Sequence, residues 1–126
     1  MNASFQKLFM AGAVAAALAV AIGAFGAHGL KPMLAASGRL ETFETAVKYH
    51  FYHALGMMIL AIWAKVAEQQ TVTRAGWLLL AGTCIFSGSL YALCLLNIGW
   101  LGAITPVGGV LMIIGWAYAA WAAVRS

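Results

Sequence analysis

Charge is what this sequence has least of. Seven Lys and Arg and three acidic residues make up 8% of 126 residues, against 64% that are hydrophobic. Soluble domains carry roughly 25% charged residues. A domain this short buries only about 60–70% of the surface its unfolded chain exposes. With a mean hydropathy of +0.93, the apolar excess needs lipid as its solvent, and a water-soluble fold is excluded. Runs of basic residues are also missing. The net charge of +4 comes from Lys and Arg spread singly. Nothing here tracks a phosphate backbone, so nucleic acid is not an expected partner. The basic residues read as anchors to membrane lipid headgroups. Cysteine is scarce too. Cys84 and Cys94 fall in one expected helix, about 15 Å apart along its axis, too far for a mutual disulfide. Both read as small apolar residues. Alternating polar and apolar residues are lacking as well, which excludes a membrane β-barrel. Backbone groups in lipid must be paired, so the apolar runs have to be α-helices.

What is present is four such runs, at residues 8–27, 49–66, 76–96 and 103–124. The first, with Lys7 ahead of it, has the flavour of a signal peptide. Its length exceeds the roughly 7–15 residues of a signal core, so a retained helix is expected. Between the first two runs the chain is polar, and Pro32 and Gly38 interrupt helix there. From about 38 to 48, Leu40, Phe43, Val47 and Phe51 recur at helical spacing, opposite Arg39, Glu41, Glu44 and Lys48. That is an amphipathic helix for the membrane interface, either separate or running straight into the second span. A polar turn over 68–74 and a tight turn over 97–102 separate the later spans. The fold class expected is therefore all-α: a four-transmembrane-helix bundle with a short amphipathic interfacial helix between helices 1 and 2. It forms a single membrane domain over 1–126.

Orientation follows from the basic residues. With four spans both termini share one side, which carries Lys7, Lys65, Arg74 and Arg125, against Lys31, Arg39 and Lys48 on the other. Four against three favours cytoplasmic termini. Helices in lipid associate through small residues that let backbones approach. Gly12 with Ala16, Ala19 with Gly23, and Gly115 with Ala119 and Ala123 supply them. So thin a first helix is expected at the centre of the bundle, and a homo-oligomer is an expected partner state. Gly23, Gly26, Gly88, Gly108 and Gly109 are expected packing positions.

Three polar groupings could carry chemistry. His28 closes the first span, while His50 and His53 open the second, sharing a face at three-residue spacing. Ionisable residues at membrane depth are functional candidates. His28, His50 and His53 with Glu44 would make a metal shell. The alternatives are proton or small-ligand handling and plain hydrogen bonding. A second grouping is Phe86-Ser87-Gly88-Ser89-Leu90-Tyr91. Ser87 and Tyr91 share a face, and buried hydroxyls there must find partners. The string contains no Gly-x-Ser-x-Gly elbow, so a serine nucleophile is not expected. The third is Thr105-Pro106-Val107-Gly108-Gly109, with Thr105 as N-cap and Pro106 in a first helical turn.

These motifs, in this order, resemble one family. Gly23-Ala24-Phe25-Gly26-Ala27-His28, Tyr49 with His53, the 86–91 string, 105–109, and Gly115-Trp116 together are similar to the domain-of-unknown-function-423 family. That family takes in the transmembrane-protein-256-like proteins of animals. The resemblance covers nearly the whole chain. It implies a small multi-pass protein, of the inner membrane in bacteria, and brings no activity or catalytic residues. It places His28, Tyr49 and His53 on motif positions and His50 where the family often has Gln. The expected role is thus structural or accessory, without catalytic residues or cofactor. The alternative is binding or transport of a small ligand, proton or metal ion at His28, Tyr49, His53, Ser87 and Tyr91.

Overall fold

The computed structural model describes residues 4–125; the outermost ends of the domain expected over 1–126 lie outside them. Among the described residues there is no strand. The helices are α1 (Ser4–Ala27), α2 (Lys31–Ala36), α3 (Leu40–Ala67), α4 (Gln70–Leu96) and α5 (Thr105–Arg125), with a 3-10 turn at Gly99–Ala103. Four helical stretches are long and apolar enough to cross a membrane: Ser4–Ala27, Leu40–Ala67, Gln70–Leu96 and Gly99–Arg125.

The boundaries refine the sequence reading. The amphipathic stretch over 38–48 is not a helix of its own. It forms the first turns of α3, which runs unbroken for 28 residues, about 42 Å. No breaker follows Gly38, so the helix simply continues into the hydrocarbon. The separate short helix is α2. Pro32 opens it rather than breaking it, sitting in the first turn, where a missing N–H leaves nothing unpaired. Its Leu34 is fully buried and ties the connection to the bundle. α4 starts at Gln70, six residues before the expected third span, because two residues suffice for the turn. Glu68 caps α3 in the left-handed conformation at φ 53°, as Asn97 caps α4 at φ 55°. Asn tolerates that conformation better than most side chains.

The helices are not equivalent. α3 and α4 form the central pair, α1 packs against α3, and α5 packs against α4. The expectation of a central first helix is overturned. α1 contributes four buried residues, α3 ten and α4 twelve. The reason is that the useful small residues of α1 make a single stripe. Gly12, Ala19 and Gly26 are buried, whereas Met10, Val14, Val20 and Phe25 face outward. A Cβ on Gly12 would lie 2.9 Å from the Ala54 carbonyl of α3, and Gly26 makes room for the Phe43 ring. On the other flank α4 and α5 cross at Gly82 and Gly108. A Cβ on Gly82 would stand 2.8 Å from the Gly108 carbonyl. A Cβ on Gly23 would lie 3.1 Å from Val47, and one on Gly109 3.8 Å from the Phe86 ring. Gly88 departs from its expected packing role: a Cβ there would meet nothing within 4 Å.

The interior is divided by depth. One apolar cluster joins Leu8, Met57, Leu60, Val72, Leu79 and Ala119; a second joins Leu34, Phe43, Ala46, Leu90, Leu93 and Cys94. Residues 47–56 of α3 and 80–89 of α4 lie between them. That interval holds His50, His53, Thr83 and Ser87, all buried. The bundle is therefore two apolar cores with a polar layer between.

The crossing glycines give a direct test. Gly82→Ala should lower the unfolding free energy by about 1–3 kcal/mol, the range for overpacking a tight contact. Gly88→Ala should cost nothing. Melting curves of the helical circular dichroism signal in detergent would separate the two.

Candidate functional site

The depth of the polar layer follows from pairings between helices. Gly26 faces Phe43, Gly23 faces Val47 and Gly12 faces Met57, so α1 and α3 run antiparallel. By that register His28 lies level with about residue 41 of α3, leaving His53 roughly 18 Å further along the bundle. His28 is exposed in the turn after α1. The site expected from His28 together with His53 is therefore not assembled. α3 and α4 are antiparallel as well, since Ser87 bonds Ala46 and Leu79 reaches Gly56. Exposed Lys48 of α3 and exposed Arg74 of α4 then bound an uncharged slab, with His53 near its middle. His50, two residues from Lys48, lies at one end of that slab. The helix that carries the second span begins at Leu40, ahead of Tyr49.

His53 is held from two sides. The Trp116 indole Nε1–H of α5 donates to His53 Nε2 at 3.1 Å, and His53 Nδ1 lies 2.8 Å from the Tyr49 carbonyl. An indole N–H can only donate. Nε2 must accept, so Nδ1 carries the proton and donates to the carbonyl. Both ring nitrogens are occupied, and the ring has no lone pair left for a metal. Tyr49 supplies its backbone oxygen rather than its hydroxyl. Its ring sits at the lipid-facing rim, 5.0 Å from the Phe86 ring and 6.1 Å from that of His53.

His50 is arranged differently. Its Nδ1 lies 2.8 Å from the Tyr91 hydroxyl of α4, and the ring also meets the backbone of Ala15 in α1. His50 and Tyr91 both line a lateral groove of about 530 Å³ between α1 and α4. Both helices lean on α3 and part from each other at this depth, so α3 becomes the groove's floor. Met10, Val14 and Leu18 wall one side and Leu80 the other. Gly88 and the exposed thiol of Cys84 lie along the α4 wall. No charged residue lines the groove.

The remaining polar side chains are spent between helices. Ser87 donates to the Ala46 carbonyl at 2.8 Å. Ser89 and Thr105 share a short hydroxyl–hydroxyl bond. Thr105 thus joins α4 to α5 rather than serving as the expected N-cap, and it is itself the first residue of α5. Pro106 does sit in the first turn. Thr83 reaches the Met112 sulfur, and Arg39 Nε donates to Asn97 Oδ1 at 3.2 Å. Glu44 faces a separate cleft between α1 and α3, beside Lys31 and Lys48. His28, His50, His53 and Glu44 therefore do not converge. Among the described residues no group of three or more His, Cys, Asp or Glu is placed to hold a metal. Of the binding residues expected, Tyr91 and Ser87 share the groove, His53 and Tyr49 lie outside it, and His28 is remote. Trp116 was missed as a partner, because an aromatic near a helix end reads as an interface anchor. Only the closeness of α5 to α3 brings it to a histidine.

Comparison with known proteins completes the description. Residues 22–109 match the family model described as a protein of unknown function, DUF423. The chain belongs to that family. It is 50% identical over 122 residues to the UPF0382 membrane protein YwdK of Bacillus subtilis, covering 95% of this chain and 98% of the relative. A UPF0382 membrane protein of Staphylococcus saprophyticus is 49% identical over 112 residues, covering 88% of this chain and 92% of the relative. No solved structure matches the chain. The family membership and the four spans make this a multi-pass membrane protein.

Trp116→Phe tests the His53 geometry. In the intact protein nitrogen NMR should report Nδ1 protonated and Nε2 bare. The variant should lose that single tautomer and about 0.6 kcal/mol of stability, the average for hydrogen bonds between membrane helices, and at most about 1.7 kcal/mol. A wild-type ring protonated on Nε2 would contradict the arrangement.

Proposed function

We propose that the protein is a non-enzymatic accessory protein of the bacterial inner membrane that binds a lipid-soluble small molecule in the α1–α4 groove. The observation that carries this reading is the groove itself, with the His50–Tyr91 pair at its floor. Its volume of about 530 Å³ falls within the roughly 300–1,000 Å³ of small-molecule sites. Its walls are apolar and its few polar groups converge at one depth, which is how such sites combine affinity with orientation. A non-catalytic role is supported by the use of the other buried polar groups. Ser87, Ser89, Thr105 and His53 are each committed to a neighbouring helix or to backbone. A serine or histidine so committed is poorly placed as nucleophile or base, which needs a free partner within reach of substrate.

The basic residues favour both termini in the cytoplasm. A C-terminal fluorescent-protein fusion should then be bright, and the matching alkaline phosphatase fusion silent. The reverse pattern would invert the orientation.

Gly88→Leu is the variant that tests binding, because it fills the groove from a position where added atoms meet nothing. The apolar fluorophore 1-aminoanthracene should brighten saturably with the wild-type protein in nanodiscs. Gly88→Leu should weaken that binding at least ten-fold without lowering the melting temperature. Identical, unsaturable partitioning into both samples would sink the reading.

A further inference from the structure

The seam between α1 and α3 holds two hollows that share no lining residue with the α1–α4 groove. The outer one, of about 260 Å³, is lined by Lys31, Glu44 and Lys48 around the apolar Leu40, Phe43 and Val47. The inner one, of about 270 Å³, is lined by Ala19, Val20, Phe51 and Tyr52. Gly23, Val47 and Lys48 line both, so the two adjoin as one cleft along the seam.

Polarity changes along this cleft in step with depth. Lys48 marks one end of the uncharged slab. Phe51 and Tyr52 lie about one turn deeper, roughly 5–6 Å, and Glu44 about one turn further out. The antiparallel α1 follows the same order. Gly26 stands beside Phe43 and Gly23 beside Val47, with Ala19 and Val20 deeper. The outer hollow is therefore level with the headgroups and the inner one opens to hydrocarbon. A single occupant of both is an amphiphile, which in this setting is a lipid.

Charge selects which lipid. Two lysines less one glutamate leave the outer hollow with a net charge of +1. Among the described residues neither Lys31 nor Lys48 makes a hydrogen bond or an ion pair, so the ammonium donors remain available. A phosphodiester carries one negative charge and only acceptor oxygens, and it cancels that excess. A zwitterionic lipid leaves the excess in place, and its amine meets two like charges for one carboxylate. Basic pockets between membrane helices receive anionic heads on the same grounds.

We infer that the α1–α3 cleft binds one anionic phospholipid, its phosphate received by Lys31 and Lys48 and an acyl chain lying along Val20, Val47 and Phe51. This site is separate from the α1–α4 groove and does not rest on the role proposed for it.

The test is native mass spectrometry of the full chain in detergent, titrated with dioleoylphosphatidylglycerol. One lipid per chain should be retained, at least five-fold more tightly than dioleoylphosphatidylethanolamine. Lys31→Gln and Lys48→Gln should each weaken binding about five-fold, the contribution of one cation beside an anionic lipid surface. Both side chains are exposed, so the melting temperature of the lipid-free protein should not change. Glu44→Gln should tighten binding by removing the one negative charge. Lys7→Gln combined with Arg74→Gln takes the same charge from the other end of the bundle and should leave binding as it was. Glycerophosphoglycerol, the same head without tails, should not displace the lipid at hundred-fold excess. Equal retention of the two lipids would overturn the assignment. So would a control double variant that weakens binding as much as Lys31→Gln with Lys48→Gln. Displacement by the tail-free head would remove the apolar hollow from the site and the lipid with it. Weaker binding in Glu44→Gln would mean that the carboxylate holds an amine, against the charge assignment made here.

Discussion

A polar side chain in lipid has no water to turn to, and most of this bundle is arranged around that fact. Each buried hydroxyl or imidazole must find its partner on another helix or on backbone. Ser87 ties α4 to α3, the Ser89–Thr105 bond ties α4 to α5, Trp116 ties α5 to His53, and Tyr91 ties α4 to His50. These bonds cluster at one depth, between two apolar cores. In lipid, apolar contact gives little preference for one neighbour over another. The polar layer supplies the register that the cores do not.

Small residues supply the distance. The α4–α5 crossing depends on Gly82 and Gly108, and the α1–α3 contact on Gly12 and Gly26. α1 leans on α3 along its single stripe and leaves α4 at the level of Ala11 and Ala15. The groove is thus a product of packing rather than a defect in it. It opens where a thin helix flanks the central pair, and His50 and Tyr91 stand at its floor.

The two histidines of α3 show how little sequence spacing says about role. They are three residues apart and share a face, which made them look like one site. In the folded chain they diverge. His53 turns to α5 and is closed by two partners. His50 turns to α4 and α1, meeting the Tyr91 hydroxyl and the backbone of Ala15. His28, the third member of the expected set, stays at the membrane edge because α1 ends before it. A metal shell was a fair reading of residue types, but it required contacts that only the helix register decides.

The four spans, the helical class and the membrane setting were determined by the sequence alone, because long uncharged apolar runs have one stable form in lipid. Its motifs also pointed to the family. The amphipathic stretch over 38–48 was legible as helix, and its continuation into the second span as one of two readings; the unbroken α3 decided between them, since a boundary depends on the absence of a stop as much as on periodicity. What only the tertiary structure decided is which helix is central, where Thr105 and Trp116 spend their polar atoms, and that Gly88 faces a groove instead of a neighbour. The physical reason is common to all three. Composition states what a residue needs, a hydrogen-bond partner or room for a close approach. Only the three-dimensional register of one helix on another states which residue provides it.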